Sequence, residues 1–123
     1  MHILILDDEE IRLQTFRQKL IGHVVDCAKT TQETIKFLQE KEYSVLFLDH
    51  DLGGKQMVPS GPGTGYEVAC WLEAHPERKP KTIYLHSFNE PGRTNMKRAL
   101  PEAIMAPGAW LTIQCASEGE SNV

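Results

Sequence analysis

The chain has 123 residues, a formal net charge of -4 and 41% hydrophobic residues. That length makes one domain with one proper core. Acids outnumber bases only slightly, 17 to 13, which argues against broad nucleic-acid or membrane-surface binding. No apolar run is long enough to cross a bilayer.

Residues 1–6 form a short apolar strand, entered at once, which speaks against a signal peptide. It stops at Asp7-Asp8. Over residues 9–20, Ile11, Leu13, Phe16 and Leu20 recur at roughly helical spacing, and Gly22 ends that helix. Residues 23–28 read as a second strand centred on Val24 and Val25. Thr30 or Thr31 caps the next helix, with Glu33 near the capping-box position and Ile35, Phe37 and Leu38 on its buried face. Residues 44–48 are a continuous apolar run, the mark of a strand covered on both faces.

Residues 55–64 are rich in Gly, Pro and Ser. They form a long exposed loop of the kind that often carries function. Thr64 then starts a helix to about His75, with Val68, Trp71 and Leu72 inward. Residues 82–85 are the fourth strand and residues 92–100 a short basic helix. Residues 103–105 make a short fifth strand, with residues 110–113 as another candidate. After Pro107 no amphipathic run lasts three turns, so the final helix is short or absent. Residues 1–115 make the domain, and residues 116–123 a polar tail. Cys27, Cys70 and Cys115 are odd in number and widely spaced. They read as buried thiols in a reducing compartment, which places the chain in the cytoplasm.

Strand alternating with helix predicts a parallel five-stranded sheet with helices on both faces. The third strand, ending at Asp49, belongs at its centre. In such sheets ligands bind beyond the carboxyl ends of the strands. Three of those ends carry acids or imidazoles: Asp7-Asp8, Asp49-His50-Asp51, and His86-Ser87 with Asn89.

This pattern resembles the receiver domain of two-component response regulators, a flavodoxin-like fold. Asp7-Asp8 matches the acidic pair after the first strand, Asp49 the phospho-acceptor aspartate, and Gly65 the glycine that begins the next helix. Two positions depart. His86 stands where receivers carry Thr or Ser, and Ala106 precedes Pro107 where they carry Lys. A closer likeness rests on Asp7-Asp8, the stretch 48–53 (LDHDLG), the stretch 64–68 (TGYEV) and the stretch 86–96 (HSFNEPGRTNM). Together they are similar to the cyclic-phosphate processing receiver domains, from the first strand to about Leu100. Glu9-Glu10 is closer to an ordinary receiver. The resemblance implies action on cyclic phosphates in nucleotides or RNA ends.

Opening a cyclic phosphate ester requires activated water, a protonated leaving oxygen and stabilised phosphoryl charge. His50 and His86 are suited to divide the first two tasks, beside Asp49. Ser87, Asn89, Gly53 and the amides that start the helix after Pro91 are suited to hold phosphate oxygens, with Arg93 as a bidentate clamp. Asp8, Asp49 and Asp51 offer a second route, since clustered carboxylates bind Mg²⁺ or Mn²⁺. Metal-assisted hydrolysis and a two-histidine mechanism both remain open at this point. The alternatives to hydrolysis are a module that binds a cyclic nucleotide without turnover, and a divergent receiver phosphorylated on Asp49. The thin chain after Pro107 leaves apolar surface near the first helix, which suggests a homodimer.

Overall fold

Five short apolar runs become strands, and all pair in parallel. They are β1 (His2–Leu6), β2 (Val24–Ala28), β3 (Val45–Leu48), β4 (Thr82–Leu85) and β5 (Ile104–Met105). The computed structural model describes residues 1–113; Cys115 and the tail from residue 116 lie outside them. The strand order is β2-β1-β3-β4-β5, the flavodoxin-like arrangement. β3 is central and all four of its residues are buried, as a strand covered on both faces requires.

The helices are α1 (Glu10–Lys19), α2 (Thr31–Glu40), α3 (Gly65–Ala74), α4 (Glu90–Ala99) and the single turn α5 (Ala109–Thr112). Side chains alternate along each strand, so the sheet feeds two cores. Leu13 and Phe16 of α1 and Ala109 of α5 pack with Ile3, Ile5 and Phe47. Leu38 of α2, Val68 and Leu72 of α3 and Met96 of α4 pack with Leu4, Leu6, Leu46, Leu48 and Leu85. Capping follows the sequence: Thr30 Oγ1 accepts from the Glu33 amide at 3.1 Å, and Thr64 Oγ1 from the Tyr66 amide at 3.3 Å. Among the described residues no helix is long and apolar enough to cross a membrane.

Three expectations need correction. Ile11 is 73% exposed, because it lies two residues from Leu13, about 200° around the helix from the buried stripe. Trp110 belongs to a helical turn and not to a strand. β5 already occupies the sheet edge beside β4, and Gly108, at φ +75°, turns the chain back towards α1. Cys27 and Cys70 are half-buried, not buried.

Candidate active site at the carboxyl edge

Leu6, Leu48 and Leu85 stand side by side in the parallel register, each the last residue of its strand. One residue further on, Asp7, Asp49 and His86 extend that row. The Asp49 amide donates to Leu6 O at 3.1 Å, and the His86 amide to Leu48 O at 3.2 Å. The three leucines face the α2–α4 core, so alternation turns the next three side chains towards α1 and α5. Asp7 and His86 are fully buried and Asp49 is 4% exposed. One ligand atom from each lies within 4.8 Å of the others.

Arg12, in the first turn of α1, reaches into this group. Its Nε and Nη2 donate to the two Asp7 oxygens, both at 2.8 Å, and Nη2 lies 3.5 Å from Asp49 Oδ2. Its guanidinium sits 5.0 Å above the Trp110 ring. His86 Nε2 pairs with Asp7 Oδ2 at 2.9 Å. The ring is boxed edge-on by Phe16 at 5.3 Å and Trp110 at 6.0 Å, and its buried Nδ1 has no partner among the described residues.

The two carboxyls are pushed apart. Burial drives Asp7 upward, but hydrogen bonds from His86 and Arg12 outweigh it and hold the group at about 2. Burial drives Asp49 up to about 7, reinforced by the Asp7 charge and only partly opposed by His86 and Arg12. Asp7 is therefore a fixed anion at neutral pH, and Asp49 a carboxyl close to half-protonation.

A cavity of about 240 Å³ opens on this row, lined by Asp8, Arg12, Asp49, His86, Ser87 and Asn89 among others. Phe88, 64% exposed, and Met57, also 64%, stand on its rim with Lys55 and Trp110. Phe88 meets Trp110 edge-on at 5.4 Å. Met57 is held at φ +53°, a conformation rare outside glycine, with its amide on Asp51 Oδ2 at 2.6 Å.

The other residues singled out in the sequence take different places. Asp8 lines the cavity and accepts from the Gly54 amide at 2.6 Å. Asp51 also borders it, but its oxygens hold the Met57 amide, Asn89 Nδ2 at 2.9 Å and His50 Nδ1 at 2.8 Å. Ser87 lines the cavity, with Oγ accepting from the Asn89 amide at 3.1 Å. Asn89 spends its amide on Asp51 and Val58 and its carbonyl on capping α4 at Gly92. Gly53 lies outside, lining a neighbouring cavity. Arg93 is turned to Ser87 O, at 2.6 Å, and does not line the cavity. His50 is fully buried and points to the opposite side of the sheet from Asp49, as adjacent strand residues do. Arg12 is not among the candidates that the sequence offers, and Asp7, not Asp8, stands with Asp49 and His86. Equal offset from paired strand ends is the signal that picks out Asp7.

The cyclic-phosphate processing receiver domain pattern matches residues 2–102. The chain belongs to this family. A search of curated protein sequences finds no match. Solved structures of response-regulator receivers share the fold. TrrA from Thermotoga maritima, in complex with Mg²⁺-BeF, is 20% identical with a TM-score of 0.65, over 99% of this chain and 98% of that one. A CheY-like receiver from Methylobacillus flagellatus is 18% identical at 0.68, over 99% and 95%. The Mn²⁺-bound form of the response regulator Rcp1 is 19% identical at 0.63, over 85% and 79%. In this receiver domain His86 and Ala106 close the row: the Ala106 amide donates to Leu85 O at 2.9 Å.

Proposed function

We propose that this domain hydrolyses a cyclic phosphate ester, in a nucleotide or at an RNA end, in the cavity over Asp7, Asp49 and His86. The observation that carries the reading is Asp49: a carboxyl held at about 7 beside a guanidinium and open to a cavity. A group titrating near the working pH is the most effective proton donor and acceptor. Asp49 takes the proton of the attacking water. The phosphorus–oxygen bond to that water forms, and one ring phosphorus–oxygen bond breaks. The proton then goes to the departing alkoxide, leaving a monoester. Arg12 stabilises charge on the phosphoryl oxygens, joined by the Ser87 hydroxyl and by Lys55 on the rim. Asp7 orients Arg12 and His86. The two imidazoles do not share the work, since His50 lies across the sheet.

A divalent cation fits the donor set. Two carboxylates and an imidazole suit Mn²⁺ or Mg²⁺, and the receivers TrrA and Rcp1 carry such ions in their solved forms. Asp7, Asp49 and His86 would hold it, in place of Asp8 and Asp51, and Arg12 would have to leave Asp7. Bound there, the ion would polarise phosphoryl oxygens and acidify water.

The test is incubation with cyclic mononucleotides and RNA bearing 2′,3′-cyclic ends, with and without Mn²⁺, followed by phosphorus NMR. Conversion to monoesters is expected. Retention of ligand without conversion would replace hydrolysis by binding alone, and phosphorylation of Asp49 by acetyl phosphate would point to a signalling receiver.

A further inference from the structure

The residue after Asp49 builds a second constellation on the other side of the sheet. His50 is fully buried. Its Nδ1 pairs with Asp51 Oδ1 at 2.8 Å, and its Nε2 with Ser60 Oγ at 2.9 Å. The proton positions follow from the neighbours. Asp51 is met only by donors, the Met57 amide and Asn89 Nδ2, so Nδ1 carries its hydrogen towards it. Asn89 gives its two amide hydrogens to Asp51 and Val58 O, both at 2.9 Å, so its 3.3 Å approach to Nδ1 takes no proton from the ring. Nε2 is then the acceptor, and Ser60 must donate to it. The remaining lone pairs of Ser60 Oγ face Asn95 Nδ2, which donates at 3.0 Å. Serine to Nε2 and Nδ1 to carboxylate is the order of groups that activates a hydroxyl.

Parts of the 86–96 stretch that the cavity does not use find their reason here. A Cβ at Gly92 would lie 2.5–2.7 Å from three atoms of the His50 ring, so only glycine lets α4 close over the imidazole. Asn95 orients the serine. Arg98, exposed, donates to Asn95 Oδ1 at 3.0 Å, which places a cation two hydrogen bonds from the hydroxyl, with Asn95 between them. Ser60 itself is half-buried, in the loop between β3 and α3.

We infer that Ser60 is a nucleophile activated by His50, with Asp51 and Asn95 as positioning residues, and that it takes an anionic phosphate ester. Ser60 Oγ forms a bond to phosphorus while the ester phosphorus–oxygen bond breaks. The serine proton passes to His50 Nε2 and from there to the released alkoxide. Water then cleaves the phosphoserine and restores the hydroxyl. Asp51 and Asn89 also border the Asp49 cavity, but Ser60 does not line it, so the label on Ser60 tests this centre independently of the Asp49 reading.

A fluorophosphonate probe reads it directly, because Ser60 would displace fluoride at phosphorus without a further proton donor. The full chain is labelled and digested, and each serine is quantified by mass spectrometry. Ser60 is expected to be labelled about 10²-fold faster than in His50→Gln, the usual effect of a positioned base, and faster than the half-buried Ser44 of the same chain. Ser60→Ala removes the label. Circular dichroism checks that His50→Gln folds; if it does not, the comparison of Ser60 with Ser44 in the wild-type chain still decides. Labelling of Ser60 no faster than Ser44, or unchanged in a folded His50→Gln, would overturn the inference and leave the three residues as a loop clip.

Discussion

Arg12 grips both oxygens of Asp7 at 2.8 Å but approaches Asp49 only to 3.5 Å. One guanidinium thus serves two neighbouring carboxyls unequally. The gripped one stays ionised and the other is left near half-protonation at neutral pH. Carboxyls driven apart in this way mark an acid–base site.

The split sets how stability depends on pH. Asp49 rises from 3.8 to about 7, so between about pH 4 and 7 the folded chain holds a proton that the unfolded chain has lost. Its contribution to stability therefore falls as pH rises through that window, by about 4 kcal/mol in all. Asp7 has the opposite sign. Its value falls from 3.8 to about 2, so its contribution is full above about pH 4 and is lost as pH drops towards 2. Urea unfolding of Asp49→Asn at pH 5 and pH 8 checks this. The variant should gain on the wild type at pH 8 and not at pH 5. Equal behaviour at both would mean that Asp49 is ionised throughout.

Arg12→Ala should be costly although Arg12 is a helix residue near the surface. It leaves a fully buried Asp7 carboxylate with His86 and the Glu9 amide as its hydrogen-bond partners. Removing one partner of a buried pair costs about 3–5 kcal/mol. Denaturant melts at pH 7 should show that loss, and the Asp7 carboxyl, followed by carbon NMR, should titrate higher. A loss under about 1 kcal/mol would make the pair an ordinary surface contact.

Most of the fold was legible because it rests on local pattern. The unbroken apolar run at 45–48 placed β3 at the centre, and its end placed Asp49. The site was legible in part. Its members stand at strand ends, but which member faces the cavity is a matter of parity. That parity selects Asp7 over Asp8 and sends His50 away from Asp49. Arg12 left no signal, since its reach depends on how α1 docks. Ser60 left none either: its partner His50 is ten residues away across an irregular loop.

Gly65→Ala should damage the site through the backbone. A Cβ there would overlap the Asp49 carbonyl oxygen, which no side-chain rotation relieves. The variant should lose more than the 1–3 kcal/mol typical of overpacking, and a folded fraction should show a displaced Asp49 resonance. Wild-type stability in Gly65→Ala would contradict the close approach of α3 to β3.

Mn²⁺ should quench the fluorescence of Trp110. Its ring lies 6.0 Å from the His86 ring and 5.0 Å from the Arg12 guanidinium. A Trp71→Phe background isolates the signal. Quenching that saturates, and that Asp7→Asn weakens by at least 10-fold, fits a cation on the Asp7–Asp49–His86 row. Quenching that is insensitive to Asp7 would place the ion elsewhere.

The most direct test follows opening of a 2′,3′-cyclic nucleotide by phosphorus NMR between pH 5 and 9, for the wild type and Asp49→Asn. Catalysis by Asp49 predicts a wild-type rate that inflects near pH 7 and that falls at least about 10²-fold in the variant, with circular dichroism checking that the variant folds. Opening at an unchanged rate and with the same pH profile in Asp49→Asn would contradict it, as would the absence of turnover at every pH.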